Sequence, residues 1–184
     1  MHATTERVAN LLGAAATAVT DDLRDRSVAA FRLNTSNAAA LIILRTAPGV
    51  SVTELGRRVG LTQSAAVRMV DSLERSGLVE RRRLVGNLIG VHPTEEGRRC
   101  AEHLLDTRGA GLRRVLDGFD EAQLETLGVL LEKLLEGLYQ GPGHADRLCR
   151  LCDRNACTAE NATCPVGAAE RAHLASADEG RSPS

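Results

Sequence analysis

Aromatic residues are nearly missing from this 184-residue chain, which has no tryptophan, one tyrosine and two phenylalanines. A core without rings must be built from leucine, valine and alanine, as packed helices allow. Long apolar runs are missing too. Leu11 to Val19 (LLGAAATAV) has the look of a signal-peptide core, but Glu6 precedes it and the helical pattern carries on past it. Nothing in the sequence approaches the length that spans a bilayer, so no membrane partner is expected and the cytoplasm is the expected compartment. There the Asn161-Ala162-Thr163 sequon meets no glycosylation machinery. No nucleophile elbow, phosphate loop or pair of carboxylates marks a catalytic site, so the chain does not read as an enzyme.

Net charge is also close to absent, at −1, which taken whole argues against a nucleic-acid protein. Its distribution argues the other way. Residues 45–100 hold ten arginines against six acids, a local excess of +4, while residues 101–184 carry nine basic and fourteen acidic residues, giving −5. A basic stretch confined to one module is the electrostatic footprint of nucleic-acid binding.

That stretch contains Ser51 to Arg83, SVTELGRRVGLTQSAAVRMVDSLERSGLVERRR. Ser51 and Glu54 have capping-box spacing, with Val50 and Leu55 at the staple positions and Leu55 and Val59 as a short inward stripe. Gly60 breaks the helix and Thr62 caps the next, a helix-turn-helix spacing. In the second helix Val67, Val70 and Leu73 recur at three-residue steps as the inward face. Gln63, Ser64 and Arg68 fall on the other side near the helix start, where a recognition helix meets base edges; Gln suits adenine and Arg suits guanine. Asp71, one turn on, is placed to orient or compete for the Arg68 guanidinium. Gly77 ends the helix, Leu78 to Val85 has strand character, Gly86-Asn87 fits a two-residue type II′ turn, and Leu88 to His92 returns as the partner strand. Helix, turn, helix and hairpin make a winged helix. The same polar face also fits an ordinary amphipathic helical hairpin, and arginines on an edge strand also serve solubility.

The flanks are helical. Residues 5–30 place Val8, Leu11, Leu12, Ala15, Val19 and Leu23 at helical spacing. Asn34 to Thr46 is more apolar and is expected to be buried on most sides, with Pro48-Gly49 as its stop. Thr94 caps a helix to about Asp117, weakened at Gly109 and Gly111. Phe119, Asp120, Gln123 and Leu124 supply a staple and a cap resembling the capping box. The helix they open carries Leu124, Leu127, Leu130, Leu131, Leu134, Leu135 and Leu138. This load exceeds what a lone surface helix needs and reads as a dimerisation layer, with an intramolecular helical hairpin as the other solution.

Three stretches together, SVTELGRRVGLTQSAAVRMVDSLERSGLVERRR, PTEEGRR and FDEAQLETLGVLLEKLLEGL, resemble the MarR family of bacterial transcription regulators over roughly Thr5 to Gln140. The resemblance implies a mainly α winged helix-turn-helix fold, with residues 5–140 as one domain. Within it lie a DNA-binding core at 50–93 and dimerisation helices at 5–30 and 94–140. It implies a homodimer on double-stranded DNA with a recognition helix starting near Thr62. The DNA-facing set is then Ser51, Thr62, Gln63, Ser64, Arg68, Arg81, Arg82 and Arg83. Wings of that family usually carry an acidic residue and an arginine near the tip. This one, LVGNLIGVH, has no charge there, so Arg81, Arg82 and Arg83 at its base are the expected phosphate grip.

After Gln140, Gly141-Pro142-Gly143 breaks the helix, and residues 144–170 hold Cys149, Cys152, Cys157 and Cys164 in a C-x2-C-x4-C-x6-C pattern. In a reducing cytosol such a cluster reads as a metal site before a disulfide framework. Four thiolates suit zinc, placed first on the knuckle spacing of the first pair, or an iron–sulfur cluster; a metal-free redox switch is the third choice. His144 and His173 flank the cluster as substitute ligands. Cys100 reads as buried and inert, and residues 175–184 read as a disordered tail.

The expected protein is a homodimeric, sequence-specific transcriptional regulator, a repressor on an inverted-repeat operator, carrying a metal or redox element. A small effector is compatible with this and is not named by the sequence. Two alternatives stand beside it: a metal-stapled dimer acting through protein contacts without DNA, and a thiol oxidoreductase on Cys149 and Cys152, which lacks a βαβ context.

Overall fold

The computed structural model describes residues 2–31, 33–84, 86 and 88–179. Its central beam is α2 (Thr35–Thr46), started by Asn34, whose side chain accepts the Asn37 amide at 2.8 Å. Ala39, Ala40, Leu41 and Leu44 are fully enclosed, as the apolar run predicts. They meet Leu55 and Val59 of α3 (Val52–Val59), Val70 and Leu73 of α4 (Gln63–Arg75), and Cys100, Ala101 and Leu104 of α5 (Glu95–Leu116) in one core.

The helix-turn-helix forms where the spacing puts it. Ser51 accepts the Glu54 amide at 3.1 Å, but the return half of the expected capping box is not made. Glu54 turns instead to Arg57 at 2.8 Å and Arg58 at 2.7 Å, because ion-assisted bonds outcompete a neutral amide for one carboxylate. The two arginines hold the Glu54 carboxyl down at about 2. Gly60, at φ +85°, closes α3 by donating its amide to the Gly56 carbonyl at 2.9 Å. The two helices cross so closely that a Cβ on Gly56 would lie 2.5 Å from the Cβ of Ala66. That crossing sets the inward face of α4 as Ala66, Met69, Val70 and Leu73. Val67, expected inward, is 37% exposed, since Ala66 takes the place against α3.

The wing pairs β1 (Val79–Arg83) with β2 (Ile89–Pro93), antiparallel, with Val79 opposite Pro93 and Arg83 opposite Ile89. This register corrects the two-residue turn. The Leu84 amide donates to the Leu88 carbonyl at 2.7 Å, so the described pairing closes at Leu84 and Leu88, one residue from the expected register, and Gly86 has φ +73°. Val85 and Asn87 lie outside the described residues. Val50 adds an edge to the sheet: the Val91 amide donates to the Val50 carbonyl at 2.9 Å, and the Gly49 amide to the Val91 carbonyl at 2.8 Å.

Thr94 opens α5 by accepting the Gly97 amide at 3.0 Å, and the helix continues unbroken through Gly109 and Gly111. Asp120 and Gln123 form a complete capping box at 2.9 and 3.0 Å for α6 (Glu121–Leu138). No residue of α6 is buried, and Leu130 and Val129 are 58% and 65% exposed. The first helix, α1 (His2–Phe31), packs on α5 but leaves Val8, Leu11, Leu12 and Ala15 exposed and Val19 half-buried, so its expected inward stripe is not covered within one chain. The Leu23 side chain lies outside the described ones.

The segment after Gln140 folds back. It forms α7 (His144–Leu148), α8 (Arg154–Cys157) and α9 (Pro165–Glu179); α7 packs on α3, and α9 on α6. The last helix runs through residues 175–179, part of the expected tail, while 180–184 lie outside the described residues. No helix among the described residues is long and apolar enough to cross a membrane.

Candidate nucleic-acid interface

Thr62 caps α4 through its hydroxyl, 3.4 Å from the Ala65 amide, and its Oγ1 lies 3.5 Å from Ser64 Oγ. Gln63, Ser64 and Arg68 follow on the open face of α4, all exposed. Among the described residues Arg68 makes no ion pair. Its expected neighbour, Asp71, bonds Arg81 at 2.6 Å instead. Ser51 sits one helix away, exposed at the start of α3.

The three wing arginines do not act alike. Arg81 turns from the wing toward α4, where both Asp71 and Glu74 bind its guanidinium and Glu74 also accepts its backbone amide at 3.1 Å. It is a brace between β1 and α4. Arg82 pairs with Glu80 on the exposed strand surface. Arg83, nearest the tip, carries no ion pair among the described residues and is exposed. A forked cation with no internal partner is the one ready for a phosphate. Arg83→Ala is therefore expected to reduce the slope of log affinity against log salt by about one unit on double-stranded DNA. Arg81→Ala is expected to lower folding stability by about 1 kcal/mol, with a smaller change in that slope. Equal slope changes for the two variants would contradict the assignment.

The cysteine segment is brought against this unit. Arg57 of α3 reaches Asp146 of α7 at 2.7 Å while holding Glu54. The Arg147 side chain lies over the turn of the helix-turn-helix, where a Cβ on Gly60 would meet its Cδ at 3.2 Å. Arg45 of α2 pairs with Asp153 at 3.7 Å, and Leu151 packs on the main core. Cys149 and Cys152 line a crevice with Ile42, Thr46, Arg58 and Leu105 that leaves about 30 Å³, room for roughly one water.

The thiols interact with one another. The neighbouring Cys149 lowers the Cys152 thiol to about 6, helped by the charges of Arg108, Arg154 and Arg150, and the Cys149 thiol is raised by Cys152 and by burial. Cys164 Sγ accepts the Gly167 amide at 3.5 Å. Among the described residues no three His, Cys, Asp or Glu side chains already converge on a point for a metal ion. His144 and His173 instead flank Tyr139, and His144 Nδ1 accepts the Gln140 amide at 3.1 Å. Cys100, buried in α5, has its thiol pushed up to about 11 by burial, in keeping with an inert core residue.

Sequence reasoning missed the docking residues Arg57, Asp146 and Arg147, since nothing in their spacing announces that the tail folds back 89 positions onto α3. It also missed Gly97, although a glycine in the first turn of a helix is a residue out of place.

Residues 33–88 match the MarR family. The match spans the helix-turn-helix and the first wing strand. The fold is similar to solved MarR structures over most of its length. A MarR-family protein from Bacillus stearothermophilus is 25% identical, with 75% of this chain and 97% of that one covered at a TM-score of 0.67. YusO of Bacillus subtilis is 21% identical, with 73% and 96% covered at 0.66. The MarR-family protein Rv2887 of Mycobacterium tuberculosis, solved with p-aminosalicylic acid, is 28% identical, with 67% and 97% covered at 0.51. No curated protein sequence matches the chain.

Proposed function

We propose that the chain is a MarR-type transcriptional regulator that binds an inverted-repeat operator as a cytoplasmic homodimer and acts as a repressor. The observation that carries this is the open face of α4. Gln63, Ser64 and Arg68 stand exposed beside a winged hairpin, and Arg81 is withdrawn into a brace that leaves Arg68 without a competitor. The MarR match over residues 33–88 supports the same reading. The uncovered leucines of α6 and the stripe of α1 supply the apolar surface a two-fold partner needs. In this reading the cysteine segment modulates DNA binding through zinc, an iron–sulfur centre or thiol oxidation. A small aromatic acid of the kind bound to the tuberculosis relative is a reasonable first effector to try.

The test is Arg68→Ala. If Arg68 reads a guanine, its loss should cost roughly 1–3 kcal/mol on the preferred site and relax preference at one base position in each half-site. Equal weakening on every sequence would reduce Arg68 to a backbone contact, and no change would remove α4 from the interface.

A further inference from the structure

One cation of the docked segment has no use inside the fold. Arg147, on α7, lays the carbons of its side chain on the turn between α3 and α4. A Cβ on Gly60 would meet its Cδ at 3.2 Å and its Cγ at 3.6 Å. Gly60 stands at φ +85°, and Thr62, two residues on, caps α4. Arg147 is exposed, and its guanidinium makes no ion pair among the described residues. An arginine with its stem packed and its head free holds a charge in solvent at a defined place.

The rest of the segment fixes that place. Asp146, its neighbour in α7, takes Arg57 of α3 at 2.7 Å, and the Gly143 amide donates to Glu170 Oε1 of α9 at 2.9 Å. Beyond α7, Leu151 packs on the main core and Asp153 pairs with Arg45 at 3.7 Å. The ion pairs along α3 cancel in charge: Glu54 and Asp146 are matched by Arg57 and Arg58. Arg147 adds an uncompensated positive charge to that network. In a helix-turn-helix the start of the second helix meets base edges while the first helix crosses the sugar–phosphate backbone. A cation lying over the turn between them faces phosphate.

We propose that Arg147 is a DNA-backbone contact supplied from outside the winged helix, taking one phosphate per chain beside the groove that α4 enters. The proposal rests on the regulator reading of α3 and α4. A phosphate carries no sequence information, so Arg147 adds affinity and leaves base preference alone. The Arg57–Asp146 pair then has a role in binding, since it holds Arg147 over the turn.

The test uses the full chain and two DNA duplexes, one enriched by site selection and one unrelated. Affinity for each is measured against salt, with circular dichroism to show that every variant folds. Arg147→Gln should weaken binding to both duplexes and lower the slope of log affinity against log salt by about one unit per bound chain. Arg147→Lys keeps the charge and should keep the slope. Arg171→Gln removes the same charge from α9, which packs on α6, and should bind as the parent does. Ethylation of single phosphates on the enriched duplex should reveal one position per half-site that interferes with the parent and not with Arg147→Gln. A parent that binds neither duplex at low salt overturns the regulator reading and this contact with it. A parent that binds, with an unchanged slope for Arg147→Gln, overturns the contact alone. An equal loss of slope for Arg171→Gln would reduce the effect to net charge and also overturns it. A loss for Arg147→Lys as large as for Arg147→Gln would make Arg147 a packing residue, with the same consequence.

Discussion

Gly97→Ala is expected to destabilise the folded chain by roughly 4 kcal/mol or more, far above the ordinary cost of a surface substitution. A Cβ at this position would stand 1.9 Å from the carbonyl oxygen of Leu78, and that oxygen belongs to backbone. It also accepts the Thr94 amide at 3.0 Å, while the Thr94 hydroxyl bonds the Gly77 carbonyl at 2.7 Å and caps α5 through the Gly97 amide. No side-chain rotation relieves the contact. The start of α5 must move away from the end of α4 and β1, and the cap is lost with it. Since alanine is by itself the better helix former, a gain in stability is what helix propensity alone would give. Urea unfolding followed by circular dichroism separates the two: a loss of less than about 1 kcal/mol would show that the junction between wing and long helix yields easily.

Leu130→Glu is expected to leave each chain folded and to dissociate the proposed homodimer. Leu130 is 58% exposed on α6, so the single chain loses little packing. In a two-fold interface each substitution counts twice. Losing a buried leucine forfeits roughly 1.5–3 kcal/mol, and a desolvated carboxylate costs more. Together the two sites should weaken association by about 10⁴-fold or more. DNA affinity should fall with it, because a monomer reaches one half-site. Light scattering with circular dichroism reads both halves. A variant that remains dimeric would move the interface off α6, and one that unfolds would make α6 an element of the single-chain core.

Much of this molecule was legible because its elements carry local signals. Ser51, Thr62, Thr94 and Asp120 each cap the helix the sequence assigns them, since a cap depends on residues within a single turn. The run through Leu41 and Leu44 is buried for the same transparent reason. What failed to show depends on geometry between elements. Val67 has helical spacing for the core, yet the side chain nearest α3 is Ala66, and only the close crossing at Gly56 decides between them. Glu54 has two arginines within one turn, and their charge redirects it from the cap. The wing register is off by a residue because a glycine–asparagine pair fits a two-residue turn as well as part of a longer tip. Arg81 reads as a phosphate contact in a run of three arginines, and alternation along β1 carries it to the acids of α4 instead. The return of the cysteine segment onto α3 rests on single long-range pairs such as Arg57 with Asp146, which no periodicity reveals.

The central claim, that α4 reads sequence on DNA, is tested most directly by selecting sites for the full chain from a random pool of double-stranded oligonucleotides and footprinting the enriched ones. The account predicts an inverted repeat whose half-sites lie about one helical turn apart, with protection of the major groove in each half. It also predicts that the enriched base preference collapses at one position when the selection is repeated with Arg68→Ala. A pool that shows no enrichment at low salt, or enrichment that Arg68→Ala leaves untouched, would contradict it.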